Sequence, residues 1–191
     1  ADLAEVLQRH AQVTDALRPA AVAKRRKTGQ RTARENLDDL LDADSFIEYG
    51  AMALAAQRRR RSLEELRELS PADGLISGIG TVNAEHFDAQ AARCMAIAYD
   101  YTVFAGTQGM MNHKKTDRML GLAEQWRLPL VLFAEGGGGR PGDSDFVGVA
   151  GLDCHTFVGM AKLSGLVPLV GVVSGRCFAG NAALLGCCDV I

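Results

Sequence analysis

Two glycine-rich turns carry most of the chemistry this sequence can support. The first is Gly136-Gly137-Gly138-Gly139-Arg140-Pro141-Gly142-Asp143, directly after the apolar run PLVLFAE (Pro129 to Glu135). Consecutive glycines let a backbone approach a ligand closely and aim several N–H groups at one point, which suits an oxyanion or a phosphate. Read alone, the run serves a flexible loop equally well. The second is Ser174-Gly175-Arg176-Cys177-Phe178-Ala179-Gly180-Asn181-Ala182, after the apolar run LVPLVGVVSG (Leu166 to Gly175). A strand-to-helix turn leaves the first N–H groups of its helix unpaired, and these form an anion site. Tight strand-helix packing selects the same small residues.

Other chemistries fit poorly. Gly137-x-Gly139-x-x-Gly142 satisfies GxGxxG in form, but it opens no βαβ unit, and Lys162 stands where a dinucleotide fold needs an acid ~20 residues on. Neither turn ends in the Lys-Ser/Thr of a phosphate-binding loop, and no GxSxG surrounds Ser164 or Ser174. His10, His86, His113 and His155 show no second ligand at metal spacing, so each reads as structural and no metal is expected. Cys154 and His155 are adjacent, and neighbours on a helix point apart, so they make no dyad. Asp143 and Asp145 read as caps more readily than as cation ligands. Catalysis, if present, rests on backbone amides.

The elements that must position these turns are legible in outline. GLISGIGTVN (Gly74 to Asn83) and CMAIAYDYTVFAG (Cys94 to Gly106) carry β-branched and aromatic residues between turn-formers and predict an antiparallel pair. Met119, Leu122 and Trp126 share a helical face over residues 112–127, with Lys114, Lys115, Arg118 and Gln125 on the other. The runs before the two turns are continuously apolar, as buried parallel strands are, with a helix near Cys154 to Leu163 between them and another near Phe178 to Leu185. The tail CCDVI reads as a strand that the chain does not complete. Residues 1–70 are rich in Ala, Leu, Arg and Glu and predict a helical appendage, and 71–191 form the second unit. Thr32-Ala33-Arg34-Glu35 before Leu37, Leu40 and Leu41 marks a helix start at Thr32. The basic runs Lys24 to Lys27 and Arg58 to Arg61 read as solvated faces.

Composition sets the bounds. With 191 residues and 48% hydrophobic content the chain can bury one sizeable core, and its net charge of -2 gives no bulk attraction to nucleic acid or anionic membrane. Five cysteines without a CxxC pair argue against a disulfide framework and for a reducing cytoplasm. No apolar stretch approaches the ~20 residues of a membrane span.

Several ordered segments resemble one family. KRRKTGQRTARENLDDLLDADSFIEYG (Lys24 to Gly50) is similar to the amino-terminal signature of acyl-CoA carboxylase carboxyltransferases. DGLISGIGTVN, YDYTVFAGTQG, RLPLVLFAEGGGGR and SGLVPLVGVVSGRCFAGNAALLGCCDVI follow that family in order and spacing. The resemblance implies an α/β, crotonase-like superhelix of ββα units, truncated before its first domain is complete. It further implies carboxyl transfer from carboxybiotin to an acyl-CoA through an enolate, with no metal in this domain. The partners implied are the acyl-CoA, biotin carboxyl carrier and biotin carboxylase components, and further copies of the subunit. The family's Gly-Pro-Cys-Ala-Gly-Gly-Ala-like motif places an oxyanion hole at its Gly-Gly pair, which assigns Gly180 and Asn181 as catalytic donors. Its Ser-Gly-Gly-Ala-Arg loop aligns with Gly136 to Arg140, so Gly137, Gly138 and Gly139, with Gly106 from the Tyr99–Gly109 segment, are assigned to the acyl-CoA. Arg176 for proline, Asn181 for glycine, and Gly136 and Gly139 for Ser and Ala are departures that bear on the choice of acyl chain. Two other readings stay open: the carboxyltransferase of a biotin-dependent decarboxylase, and a CoA-binding or assembly module without catalysis.

Overall fold

The computed structural model describes residues 2–145 and 154–191. The amino-terminal part holds α1 (Asp2–Gln12), α2 (Pro19–Lys27), α3 (Ala33–Leu40), β1 (Ile47–Glu48) and α4 (Leu63–Leu69). Thr32 caps α3 as its sequence predicts: the Glu35 N–H donates to the Thr32 hydroxyl at 3.1 Å, and the Thr32 N–H donates to the Glu35 carboxylate at 2.8 Å. This reciprocal box satisfies two N–H groups that a helix start otherwise leaves bare.

Next come β2 (Leu75–Thr81) and β3 (Arg93–Tyr99), the antiparallel pair expected from their β-branched and aromatic content. From β3 onward one unit is repeated: a strand in a large sheet, a short extended segment in a small one, and a helix. The first repeat is β3, Gln108 and α5 (Met110–Trp126). The second is β4 (Leu130–Phe133), β5 (Gly136–Gly137) and α6 (His155–Leu163), and the third is β6 (Leu169–Val172), β7 (Cys177–Phe178) and α7 (Ala179–Leu185). The large sheet runs β1-β2-β3-β4-β6, antiparallel through β3 and parallel from β3 to β6. The chain therefore has the crotonase-like α/β architecture that its segments resemble. Beyond α7, Val190 bridges to Val170 in parallel, so the CCDVI tail does run beside β6.

Side chains alternate across a strand, and both faces of β2 and β3 are covered, which explains their nearly unbroken apolar sequence. On one face Leu75, Met95, Ile97 and Tyr99 pack with Met119 and Ala123 of α5 and Met160 and Leu163 of α6. On the other, Ile76, Cys94, Ala96 and Ala98 pack with Ala33, Leu37 and Leu41 at α3. Residues before 70 are thus part of the same packing, and β1 extends the sheet at Ile47↔Ile79.

Two expectations about charge are corrected. Lys115 does not share an exposed face with Lys114 and Arg118; it is buried, its Nζ donating to the Ala72 carbonyl at 2.8 Å and also to the Leu75 carbonyl. The first of those carbonyls belongs to a turn in which Ala72 and Asp73 adopt left-handed φ values of 53° and 49°. Nor is the Lys24 to Lys27 run wholly solvated, because Arg25 points inward and is 4% exposed.

Candidate functional site

The small sheet is where the glycine turns meet. β5 pairs in parallel with β7 at Gly136↔Cys177 and Gly137↔Phe178, and Gln108 bridges in parallel to Gly139. The Gln108 N–H donates to the Gly138 carbonyl at 2.7 Å, the Arg140 N–H to the Gln108 carbonyl at 2.8 Å, and the Gly136 N–H to the Arg176 carbonyl at 2.7 Å. Three chain segments far apart in sequence therefore form one ladder, and it brings Gly106, Gly137, Gly138, Gly139, Gly180 and Asn181 into one region.

Glycine is required where two of these backbones touch. A Cβ on Gly136, whose φ is 82°, would lie 2.2 Å from the Ala105 carbonyl oxygen and 2.6 Å from the Gly106 Cα. A Cβ on Gly106 would in turn lie 2.7 Å from the Glu135 carbonyl oxygen. Gly139 differs: a Cβ there meets nothing within 4 Å, so this residue faces open space.

The second turn feeds α7. Phe178 occupies the N-cap without any side-chain cap, so the N–H groups of the first helical residues have no partner within the helix. Ala179 holds a φ of 45°, a region that costs a residue with a Cβ roughly 1–2 kcal/mol. A Cβ on Gly180 would lie 2.3 Å from the Gln108 side-chain oxygen, so this residue is pressed against the first repeat. Asn181 is fully buried, and its amide donates to the Gly106 carbonyl at 2.9 Å and the Glu135 carbonyl at 2.7 Å. Its Oδ1 is buried without a hydrogen-bond partner. That side chain ties the three segments together, a role its sequence position did not suggest.

Charged groups brace the turns from behind. The Arg25 guanidinium holds the Glu135 carboxylate in a two-pronged contact, Nη1 to Oε1 at 2.9 Å and Nη2 to Oε2 at 2.8 Å. Arg140, at the end of the glycine run, is buried against Asp73, lies 3.6 Å from an Asp143 oxygen, and stacks 4.8 Å from the Phe104 ring centre. Asp143 accepts from the Met110 N–H at 2.7 Å, so it caps α5 across space, and Asp145 accepts from the Arg58 and Arg59 N–H groups at 2.6 and 2.9 Å. Asp143 thus caps an earlier helix and Asp145 a turn that opens no helix, while the segment that follows them lies outside the described residues.

Among the described residues, burial favours the protonated form of the phenol and the thiol beside this ladder. Burial pushes the Tyr99 hydroxyl up to about 12, and the hydroxyl accepts from the Gln108 amide at 3.0 Å. Burial, then the nearby Glu135 carboxylate, raises the Cys177 thiol, which favours its protonated form. Cys154 finds its imidazole neighbour in His113 of α5, with Sγ 3.6 Å from Nδ1, while the same nitrogen lies 2.9 Å from the Thr156 hydroxyl. Burial lowers the His113 pKa, which favours the neutral ring. Among the described residues no group of three His, Cys, Asp or Glu is placed to hold a metal ion, and no helix is long and apolar enough to cross a membrane.

The glycine turns that the family signature singled out therefore meet at a small parallel ladder. Residues 24–191 match the carboxyl transferase domain. The chain belongs to that family. It is 31% identical over 178 residues to the propionyl-CoA carboxylase beta chain of Saccharopolyspora erythraea, covering 93% of this chain and 30% of that one. Among solved structures, a single-chain, multi-domain long-chain acyl-CoA carboxylase is 63% identical with a TM-score of 0.94, covering 100% of this chain and 19% of that one. The transcarboxylase 12S subunit, solved with methylmalonyl-CoA and methylmalonic acid bound, is 29% identical with a TM-score of 0.70, covering 90% of this chain and 31% of that one. The chain thus spans under a third of each of these relatives.

Proposed function

We propose that this chain is the acyl-CoA-binding part of the carboxyltransferase in a biotin-dependent acyl-CoA carboxylase. The observation that carries the reading is the convergence of Gly106, Gly136 to Gly139 and the start of α7 on one ladder, in a chain of this family. Loss of a proton from the carbon beside a thioester places charge on the carbonyl oxygen. Preorganised N–H groups stabilise that charge without reorganising during the reaction.

Counted residue for residue from Cys177, the family motif's Gly-Gly pair falls on Ala179 and Gly180 rather than on Gly180 and Asn181. The left-handed φ of Ala179 supports this register, since glycine enters that region freely. Gly180 keeps the donor role, Ala179 joins it, and Asn181 orients the turn through its buried amide. Gly137, Gly138, Gly139 and Gly106 line the acyl-CoA, with the open side of Gly139 free for the ligand. Biotin, on a carrier component, supplies the carboxyl group. The described residues that fit the reaction fit its acceptor, the thioester. Identity of 63% to a long-chain acyl-CoA carboxylase favours a long acyl chain. Biotin carboxylase and carrier components, with further copies of the carboxyltransferase, are the partners this role requires.

The test is Gly180→Val in the full-length parent. A β-branched residue at this position obstructs close approach, and loss of one oxyanion donor costs ~10²–10³ in rate. The added Cβ meets the buried Gln108 side chain at 2.3 Å and lowers the thermal midpoint, but carboxyl transfer by the folded protein should fall by that factor, more than the loss of folding. Turnover near wild type in a folded variant removes this turn from the site.

A further inference from the structure

We infer that Glu135, held by Arg25, is a positioning residue that fixes the separation of the two glycine turns. The inference rests on the carboxyltransferase reading, which gives those turns their task. Glu135 lies two residues beyond β4 and immediately precedes Gly136, so its placement bears on the first turn. Its carboxylate lies against the second turn as well: a Cβ on Gly175 would sit 2.1 Å from Oε1. Its backbone carbonyl accepts the Asn181 amide at 2.7 Å, next to Gly106. One residue therefore touches every segment that builds the ladder.

The brace behind it comes from α2 and the segment after it. Arg25 is fixed at its other edge, with Nε donating to the Arg31 carbonyl at 2.9 Å, Nη1 reaching the Gln30 side-chain oxygen at 3.0 Å, and the Tyr101 ring centre 5.6 Å away. Gln30 then donates to the Ser174 carbonyl at 2.7 Å, which secures the second turn directly. The two side chains of the pair are 5% and 8% exposed, so water cannot replace either partner if the other is lost. A bidentate guanidinium-carboxylate contact also fixes direction, which a lysine cannot reproduce. A pair that served only to hold the fold would act on the large sheet. This one contacts the turns.

The experiment uses the full-length parent with Glu135→Gln and Arg25→Lys, and Asp39→Asn as a control that removes the exposed Arg31–Asp39 ion pair. Carboxyl transfer gives kcat and the KM for acyl-CoA, and amide hydrogen exchange is followed by segment. A misplacement of ~1 Å costs ~10² in rate, so Glu135→Gln should lower kcat by ~10²-fold with KM within ~3-fold. Arg25→Lys, which keeps the charge and the fold, should fall between that variant and wild type. Exchange should rise ~10-fold at 136–139 and 174–180 while β2 and β3 keep their protection. The control should match wild type. An unchanged kcat in the Gln variant, or exchange that rises equally in β2 and β3, overturns the inference. If the wild-type parent transfers no carboxyl group, the functional reading fails, and exchange confined to the turns or spread through the sheet still decides whether the brace exists.

Discussion

Lys115→Met should change the pH dependence of stability in a direction fixed by burial. Burial lowers the Lys115 ammonium to about 8 from its ordinary 10.5, since a charge removed from water favours its neutral form. The unfolded chain therefore binds this proton more tightly than the folded one, and stability gains from deprotonation as pH rises from 8 to 10.5. At pH 7 the buried charge opposes folding by about 3 kcal/mol, and at pH 9 by about 2 kcal/mol. Methionine removes this penalty. It also removes a donor from the Ala72 and Leu75 carbonyls, at about 1–3 kcal/mol for a buried acceptor left bare, a cost that does not vary with pH. The slope carries the test, since the stability difference at a single pH mixes both effects. Burial raises the Cys94 and Cys188 thiols to about 11, but these groups titrate alike in both proteins and cancel in the difference. Urea unfolding of both proteins at pH 7 and pH 9 should show methionine's relative stability falling by about 1 kcal/mol. A difference that stays constant, or grows, refutes the lowering of the Lys115 ammonium by burial.

Three further outcomes follow from the same contacts. Gly136→Ala should prevent or severely weaken folding, because its Cβ meets the Ala105 carbonyl at 2.2 Å, whereas Gly139→Ala should leave the thermal midpoint unchanged and raise the KM for acyl-CoA in the parent; equal effects on stability would contradict the geometry. Ala179→Gly should stabilise the chain by about 0.5–1 kcal/mol, relief of left-handed strain less the added freedom of the unfolded chain, measured by denaturant midpoint. Thr32→Ala should cost about 1 kcal/mol through loss of the α3 capping box, and a neutral result would deny that box a role in solution.

What the sequence disclosed was what local pattern records. The apolar runs before each glycine turn, the antiparallel pair at Leu75 and Arg93 and the capping box at Thr32 each have a period or a spacing, and each lies where expected. The small sheet has neither, because β5 and β7 are two residues long and Gln108 contributes a single bridge. Arg25 sits in a basic run whose other members are exposed, and its partner is 110 residues away, so nothing local marks it as buried. Lys115 turns inward to the Ala72 and Leu75 carbonyls beside a left-handed turn at Ala72 and Asp73, and neither residue type announces one. At Asn181 the family motif drew attention to the backbone, while the structure uses the side chain.

The central claim, that this chain belongs to the acyl-CoA side of a biotin-dependent carboxyl transfer, is tested most directly in the full-length parent. Labelled bicarbonate and ATP are supplied with acyl-CoA of increasing chain length, with and without avidin, and label is measured in the acyl-CoA. The account predicts avidin-sensitive labelling that requires the acyl-CoA and is strongest with long chains. Absence of label with every acyl-CoA, or labelling that avidin leaves unchanged, would contradict it.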